Sequence, residues 1–261
     1  MEKKNPNHEA LEHYRVSDYR TPDGYTSDIA VFTLHSEKME HKPPVVSLML
    51  LLIKRTEMTA EGIPNIEGGK WALPGGFVQP DETALEAAHR ELLEETGVRG
   101  IHMKHYGMYD RPGRDPRGWI LSNAHYAIVP EDALKDRRAE DDAAEVQLFR
   151  LEDLDSIQLA FDHSRLITDA IREIRSDLLQ TTAVKNFLPG EFTYSELQAV
   201  LLTVTDDPAI KSDQSFARKI KTLPFIKEAE GKMTARTSKK PAKLYRFTDM
   251  DVIKPIYTAR Y

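Results

Sequence analysis

The sequence predicts an α/β fold, an α/β/α sandwich on a mixed sheet, followed by a small winged helix-turn-helix domain. Three observations carry that expectation. Strand-length apolar runs flank a well-capped helical stretch between Thr83 and Gly97. A second pattern of helical period ends near Gln180, and from Asn186 two further helical stretches lead into a basic hairpin. The chain of 261 residues has room for one large or two ordinary domains. Charge divides about the same point. Up to Lys185 there are 23 Lys and Arg against 33 Asp and Glu, and from Asn186 onward 13 against 9. An acidic unit followed by a basic one predicts different partners for the two. We read 1–25 as an N-terminal segment, 26–185 as the first domain and 186–261 as the second.

In chain order, the opening MEKKNPNHEALEHY has no apolar stretch after its lysines and does not read as a secretory signal. The turn Pro22-Asp23-Gly24 precedes a strand over Thr26–His35. Val45–Arg55, VVSLMLLLIKR, is apolar nearly throughout, which suits a strand buried on both faces. That run is about half the ~20 residues of a membrane span, so no membrane association is expected. Thr56–Lys70 is polar and reads as a loop ending at Trp71, and LPGG, Leu73–Gly76, is a tight turn. GIHMKHYGMYD, WILSNAHYAIV and EVQLFRL are three more strand candidates. In DHSRLITDAIREIRSDLLQ the residues Leu166, Ala170, Ile171, Ile174 and Leu178 share one helix face. The chain has no cysteine, which excludes disulfides, thiolate nucleophiles and cysteine-bound zinc and fits a cytoplasmic location.

The stretch GFVQPDETALEAAHRELLEETGV, Gly76–Val98, concentrates the chemistry. Thr83 caps a helix with Glu86 as the second half of a capping box, and Gly97 stands where a left-handed stop belongs. Leu85, Ala88 and Leu92 form a packing stripe. Glu91, Glu94 and Glu95, spaced i, i+3, i+4, share another face. Carboxylates crowded this way repel unless a cation lies against them, and an all-oxygen donor set suits Mg²⁺ or Mn²⁺.

This stretch resembles the box of the Nudix hydrolases, with Gly76, Glu82, Arg90, Glu91, Glu94, Glu95 and Gly97 at its fixed positions and Leu92 and Val98 at aliphatic ones. The resemblance implies a loop-helix-loop that holds a divalent metal against a diphosphate. It implies Glu91, Glu94, Glu95 and Gly76 as the metal site, and Glu82 with Arg90 as an internal ion pair. A general base to activate water is expected from Glu145, Asp141 or Asp142. The loop RPGRDPRGW carries Arg111, Arg114 and Arg117, whose guanidinium geometry suits phosphate. Its RDPRGW core is similar to a segment of Nudix proteins that handle ADP-ribose. Among Trp71, Phe77, Tyr109, Trp119 and Phe161 one or two are expected to stack on a base, with Phe77 taken as a substrate contact, and the rest belong to the core. The histidines lack metal-ligand spacing and are expected to be structural or exposed.

In the second unit Thr193 and Glu196 repeat the capping box, with Leu197, Val200, Leu201 and Val204 inward. SDQSFARKIKTL follows with Phe216, Ile220 and Leu223 on one side and Arg218 and Lys219 off it. A hairpin then carries Lys232, Arg236, Lys239 and Lys240. This is the order of a winged helix-turn-helix, whose second helix enters the major groove while the wing touches phosphates. Together with Phe161-Asp162-His163, FTYSELQ, FARKI and PAKLYRF, the two units resemble the Nudix-related transcriptional regulators of NAD metabolism and their hydrolase relatives. Two departures stand out. The box is complete where many of those regulators have a degraded one, and the wing reads SKKPAKLYRF where a glycine-arginine-proline is usual. The resemblance implies hydrolysis of a nucleoside diphosphate derivative, ADP-ribose to AMP and ribose 5-phosphate. Its alternative is a regulator that responds to ADP-ribose or a related NAD metabolite and binds operator DNA as a homodimer, since paired half-sites supply specificity.

Overall fold

The structure is a computed structural model and describes residues 6–37, 40–98, 102–134 and 143–248. In chain order it contains α1 (Pro6–His13), β1 (Gly24–Glu37), β2 (Val45–Arg55), β3 (Trp71–Ala72), β4 (Gly75–Phe77), α2 (Ala84–Thr96), β5 (His102–Tyr109), β6 (Ile120–Ile128) and β7 (Ala143–Arg150). Then follow α3 (His163–Gln180), α4 (Tyr194–Leu201), α5 (Pro208–Lys211), α6 (Asp213–Ile220), β8 (Ile226–Thr234) and β9 (Ala242–Phe247).

The seven strands β1–β7 form one mixed sheet in the order β3-β2-β1-β6-β5, with β4 also on β1 and β7 also on β2. β1 is its spine. It runs parallel to β6 from Gly24↔Ile120 to Phe32↔Ile128 and antiparallel to β2 from Val31↔Leu51 to Glu37↔Val45. Because strand side chains alternate, β1 serves two cores. Ile29 and Val31 pack with Leu51, Ala88 and Leu92 beneath α2. Ala30, Phe32 and Leu34 pack on the opposite face with Leu166, Ala170 and Ile174 of α3. The apolar run of β2 follows the same logic, and so the sheet lies between two helices.

α2 forms as its caps predict. Thr83 Oγ1 accepts from the Glu86 N–H at 3.3 Å, and Glu86 Oε2 accepts from the Thr83 N–H at 2.7 Å. Gly97 ends the helix at φ 74°, its N–H donating to the Leu93 carbonyl. The packing stripe is shifted from the expected one. Ala87, Ala88 and Leu92 are buried while Leu85 is 44% exposed, because the side of α2 bearing Leu85 turns away from the sheet.

α3 connects the sheet to the second unit. Leu166, Ala170, Ile174 and Leu178 continue into one core with Leu197 and Val200 of α4, Phe216 and Ile220 of α6, and Tyr245 of β9. Asp177 fastens the helix to the sheet by accepting from Lys104 Nζ at 2.6 Å and from the Tyr126 hydroxyl. α4 has the expected capping box, with Glu196 Oε2 accepting from the Thr193 N–H at 2.7 Å. It stops at Leu201, which leaves Val204 beyond the helix yet still packed on the core. α5 was not anticipated, although its signal is local: Asp207 caps Ala209 N–H at 2.7 Å and Pro208 opens the turn.

Two long-range contacts pin the start of α3. Arg114 makes a two-pronged ion pair with Asp162, Nη2 to Oδ1 at 2.7 Å and Nε to Oδ2 at 3.1 Å, with the side chains only 3% and 11% exposed. His163 Nδ1 accepts from the Leu73 N–H at 2.9 Å, so the turn before α2 also hangs on α3.

Asp162→Asn strands a buried guanidinium, so thermal unfolding should show a loss of about 3–5 kcal/mol. A change within error in Asp162→Asn would mean the pair is solvated in solution. Thr83→Ala, at an exposed cap, should cost about 1 kcal/mol in the same measurement, and no loss would show that α2 does not depend on its box.

Candidate functional site

The turn 73–77, the strands β1 and β2, the loop 111–119 and the residues at the start of α3 meet around one cavity, and α2 packs behind the turn. The cavity walls include Asp28, Gly76, Phe77, Arg114, Arg117 and Phe161.

On the α2 side Arg90 is the hub. Its guanidinium donates to Glu82 (Nε–Oε2 3.0 Å, Nη2–Oε1 2.7 Å), to Glu91 Oε1 at 2.6 Å, to Glu94 Oε2 at 3.0 Å and to the Phe77 carbonyl at 3.0 Å. These carboxylates hold its pKa far above the ordinary arginine value, so it stays charged. Glu91 packs on Gly76 so closely that a methyl group there would overlap the carboxylate, which accounts for the glycine. Glu95 accepts from the Gly75 N–H at 2.8 Å.

The electrostatics point towards a cation. Burial raises the Glu91 carboxyl above its usual range, with neighbouring Glu94 and Glu82 adding to the effect of desolvation. Glu95 is raised well above its usual range, first by burial and then by the negative charges of Glu91 and Asp28. Among the described residues no three His, Cys, Asp or Glu side chains converge into a finished coordination set, because Arg90 draws Glu91 and Glu94 to itself. The donor chemistry nevertheless suits a hard divalent ion: carboxylate oxygens under mutual repulsion, on one helix face, beside a glycine that permits close approach.

The loop 111–119 brings two of its three arginines to the cavity. Arg114 is committed to Asp162, as described, while Arg117 binds Asp115 (Nη2–Oδ2 2.7 Å, Nε–Oδ1 3.0 Å). Arg111 is exposed on the surface. Arginine near Asp115 depresses that carboxyl's pKa against the opposing effect of burial. Phe77 is 46% exposed, with the Arg117 guanidinium 5.1 Å from its ring centre.

Of the proposed bases, Glu145 stands exposed on β7 in register with Lys54 of β2, and Asp141 and Asp142 lie outside the described residues. The carboxylates that do line the cavity are Asp115, already bound to Arg117, and Asp28, which accepts from the Ser122 hydroxyl and from Thr26 Oγ1 at 3.4 Å. The position of Asp28 was invisible in sequence, where it is one polar residue inside a strand. Arg55, which also lines the cavity, has no signal in the sequence for the same reason, whereas His163 is structural, as expected of the histidines. His163 is buried and its pKa is lowered by that burial, so Nδ1 stays free to accept from Leu73.

In the second unit Arg218 and Lys219 are exposed in the last turn of α6, and Lys239 and Lys240 are exposed between β8 and β9. Two of the expected wing cations, though exposed, are paired with acidic and carbonyl groups of the same unit. Lys232 Nζ donates to Glu191 at 2.6 Å. Arg236 grips Glu196 at 2.7 and 2.8 Å and the Glu191 carbonyl at 2.8 Å, which ties the hairpin to the N-terminus of α4.

Among the described residues no helix is long and apolar enough to cross a membrane. The model of the NUDIX domain family matches residues 25–170, and that of the NrtR DNA-binding winged helix domain matches residues 184–247. The chain is 28% identical over 243 residues to the ADPR responsive transcriptional repressor NtrR of Acinetobacter baylyi, covering 92% of this chain and 88% of that protein. It is 42% identical over 123 residues to the ADP-ribose pyrophosphatase of Methanocaldococcus jannaschii, covering 47% of this chain and 66% of that one. The crystal structure of Shewanella oneidensis NrtR with a 27mer DNA superposes with a TM-score of 0.67 at 26% identity, over 86% of this chain and 93% of that one. With the family domain spanning more than half of its length, and the start of the box, Gly76 and Phe77, in the cavity wall, this chain belongs to the Nudix family and carries an NrtR-type winged helix domain after its Nudix domain.

Proposed function

We propose that this chain is a ligand-responsive transcriptional regulator whose Nudix domain takes ADP-ribose, or a related nucleoside diphosphate derivative, and whose winged helix domain binds operator DNA as part of a homodimer. The observation that carries the reading is the single core running from the sheet through α3 to α4 and α6. The cavity touches the start of α3 through Arg114–Asp162 and Leu73–His163, and the far end of α3 packs against the winged helices. A ligand that alters one end therefore has a packed element through which to bias the other. The likeness to an ADPR responsive repressor over nearly the whole chain supports the ligand and the role. In the DNA complex Arg218, Lys219, Lys239 and Lys240 supply phosphate contacts, while Lys232 and Arg236 hold the wing in place.

A second reading is favoured by the complete box: the Nudix domain also hydrolyses its ligand, ADP-ribose to AMP and ribose 5-phosphate. Glu91, Glu94 and Glu95, next to Gly76, would hold Mg²⁺ or Mn²⁺, which supplies charge neutralisation on the diphosphate and a more acidic water. Arg90 keeps Glu91 and Glu94 on one side of the cleft, and Glu82 fixes Arg90 in turn. Phe77, with Arg111, Arg114 and Arg117 on the facing loop, contributes to binding of the nucleoside diphosphate. Glu145, Asp141 and Asp142 remain the proposed bases.

The regulator is tested by fluorescence anisotropy on operator sequences selected from a random DNA pool. Saturating ADP-ribose should shift the operator affinity of the full chain by about 5–150-fold, the usual span of allosteric coupling. Selected DNA whose affinity is indifferent to ADP-ribose contradicts the regulator. Hydrolysis is tested by Mg²⁺-dependent AMP release. Turnover should fall by at least about 100-fold in both Glu94→Gln and Glu95→Gln, given the several kcal/mol a metal contributes. Absence of turnover in the unmodified chain removes the second reading and leaves the first intact.

A further inference from the structure

Phe161, packed beside Ile53, Ala72 and Ala160, is held in an unusual backbone conformation. Its backbone lies at φ 51°, the left-handed region that a bulky residue rarely enters and that marks functional positions when the surroundings enforce it. The enforcement is visible. The Ala160 N–H donates to the Trp71 carbonyl at 2.8 Å, the Phe161 N–H to Glu67 Oε2 at 3.3 Å, and the His163 N–H to the Ala160 carbonyl at 3.1 Å. What this backbone achieves is the placement of a half-buried ring in the wall of the ligand cavity. The ring is not packed against aliphatic side chains alone. The Arg117 guanidinium lies 5.0 Å from its centre and that of Arg55 5.3 Å. Arg117 is at the same time 5.1 Å from the centre of Phe77, so one flat cation is shared by two rings across the cavity.

A guanidinium stacks on an aromatic ring because it is planar, delocalised and weakly hydrated, and a nucleobase satisfies the same geometric requirement. We propose that Phe161 is the base platform of the site and that the Arg117 guanidinium occupies, in the ligand-free chain, the ring face that a nucleobase takes on binding. This rests on the reading of the Nudix domain as a nucleoside diphosphate receptor. Asp115, itself buried and doubly bonded to Arg117, retains the displaced guanidinium at the edge of the cavity. The exchange ties recognition of the base to rearrangement of the loop 111–119, the segment that Arg114 fastens to α3.

The test is calorimetric titration of the full chain with two ligands, ADP-ribose and ribose 5-diphosphate, which lacks the base. Phe161→Leu should weaken ADP-ribose by at least about tenfold, the size of base stacking on an aromatic residue, and change ribose 5-diphosphate by less than about twofold. Phe161→Tyr should restore ADP-ribose affinity. Phe77→Leu, at an exposed position that leaves folding undisturbed, should show the same split between the two ligands. Equal losses for both ligands, or no loss of ADP-ribose affinity in Phe161→Leu, overturns the base platform while leaving the receptor in place. An unmodified chain that binds neither ligand overturns the receptor itself, and the platform with it.

Discussion

The buried pair of Arg114 and Asp162 sets the position of nearly everything else in the cleft. Two charged side chains removed from water cost several kcal/mol to desolvate, and the fork geometry that offsets this tolerates little displacement. The loop carrying Arg117 and Asp115 therefore has one seat, directly at the N-terminus of α3. His163 adds a second tie on the adjacent residue by accepting from Leu73, the first residue of the turn that delivers Gly76 and Phe77. Loop, turn and helix thus share two neighbouring residues, and the cavity is the space they enclose.

From that junction α3 extends across the sheet to the second unit. Its inner face is continuous with the packing of α4 and α6, so the winged helices rest on the same apolar surface as the sheet. The hairpin is braced as well: Arg236 spends its charge on Glu196, the same carboxylate that closes the capping box of α4. Cations that look available for phosphate in a sequence are in this way partly assigned to holding the wing against its helix. Arg90 plays a similar part in the cleft, where it balances carboxylates that a divalent ion would otherwise face alone.

Much of this was legible in the residues, and the part that was not has a physical reason. Thr83, Glu86 and Gly97 are local signals, and they marked α2 because capping acts within one turn. The alternation in β1 and the apolar run of β2 likewise showed strands with buried faces. The pairing of Asp28 with Ser122, or of Arg114 with Asp162, joins residues far apart in the chain and leaves no periodic trace. For that reason Asp28 and Arg55 carry no signal in the sequence, and Arg236 reads there as a wing contact for DNA and not as a brace on Glu196. Leu85 failed differently, since a helical stripe indicates spacing but not how far the helix rolls on its sheet. The positive φ of Phe161 could not be anticipated either, because a phenylalanine carries no bias towards it.

α3 joins the cavity to the winged helices. Amide hydrogen exchange of the full chain with and without saturating ADP-ribose reads that connection, and protection should change in loop 111–119, along 163–180, and in α4 and α6. Altered protection confined to the cavity residues, with α4 and α6 exchanging at the same rates in both states, would contradict it.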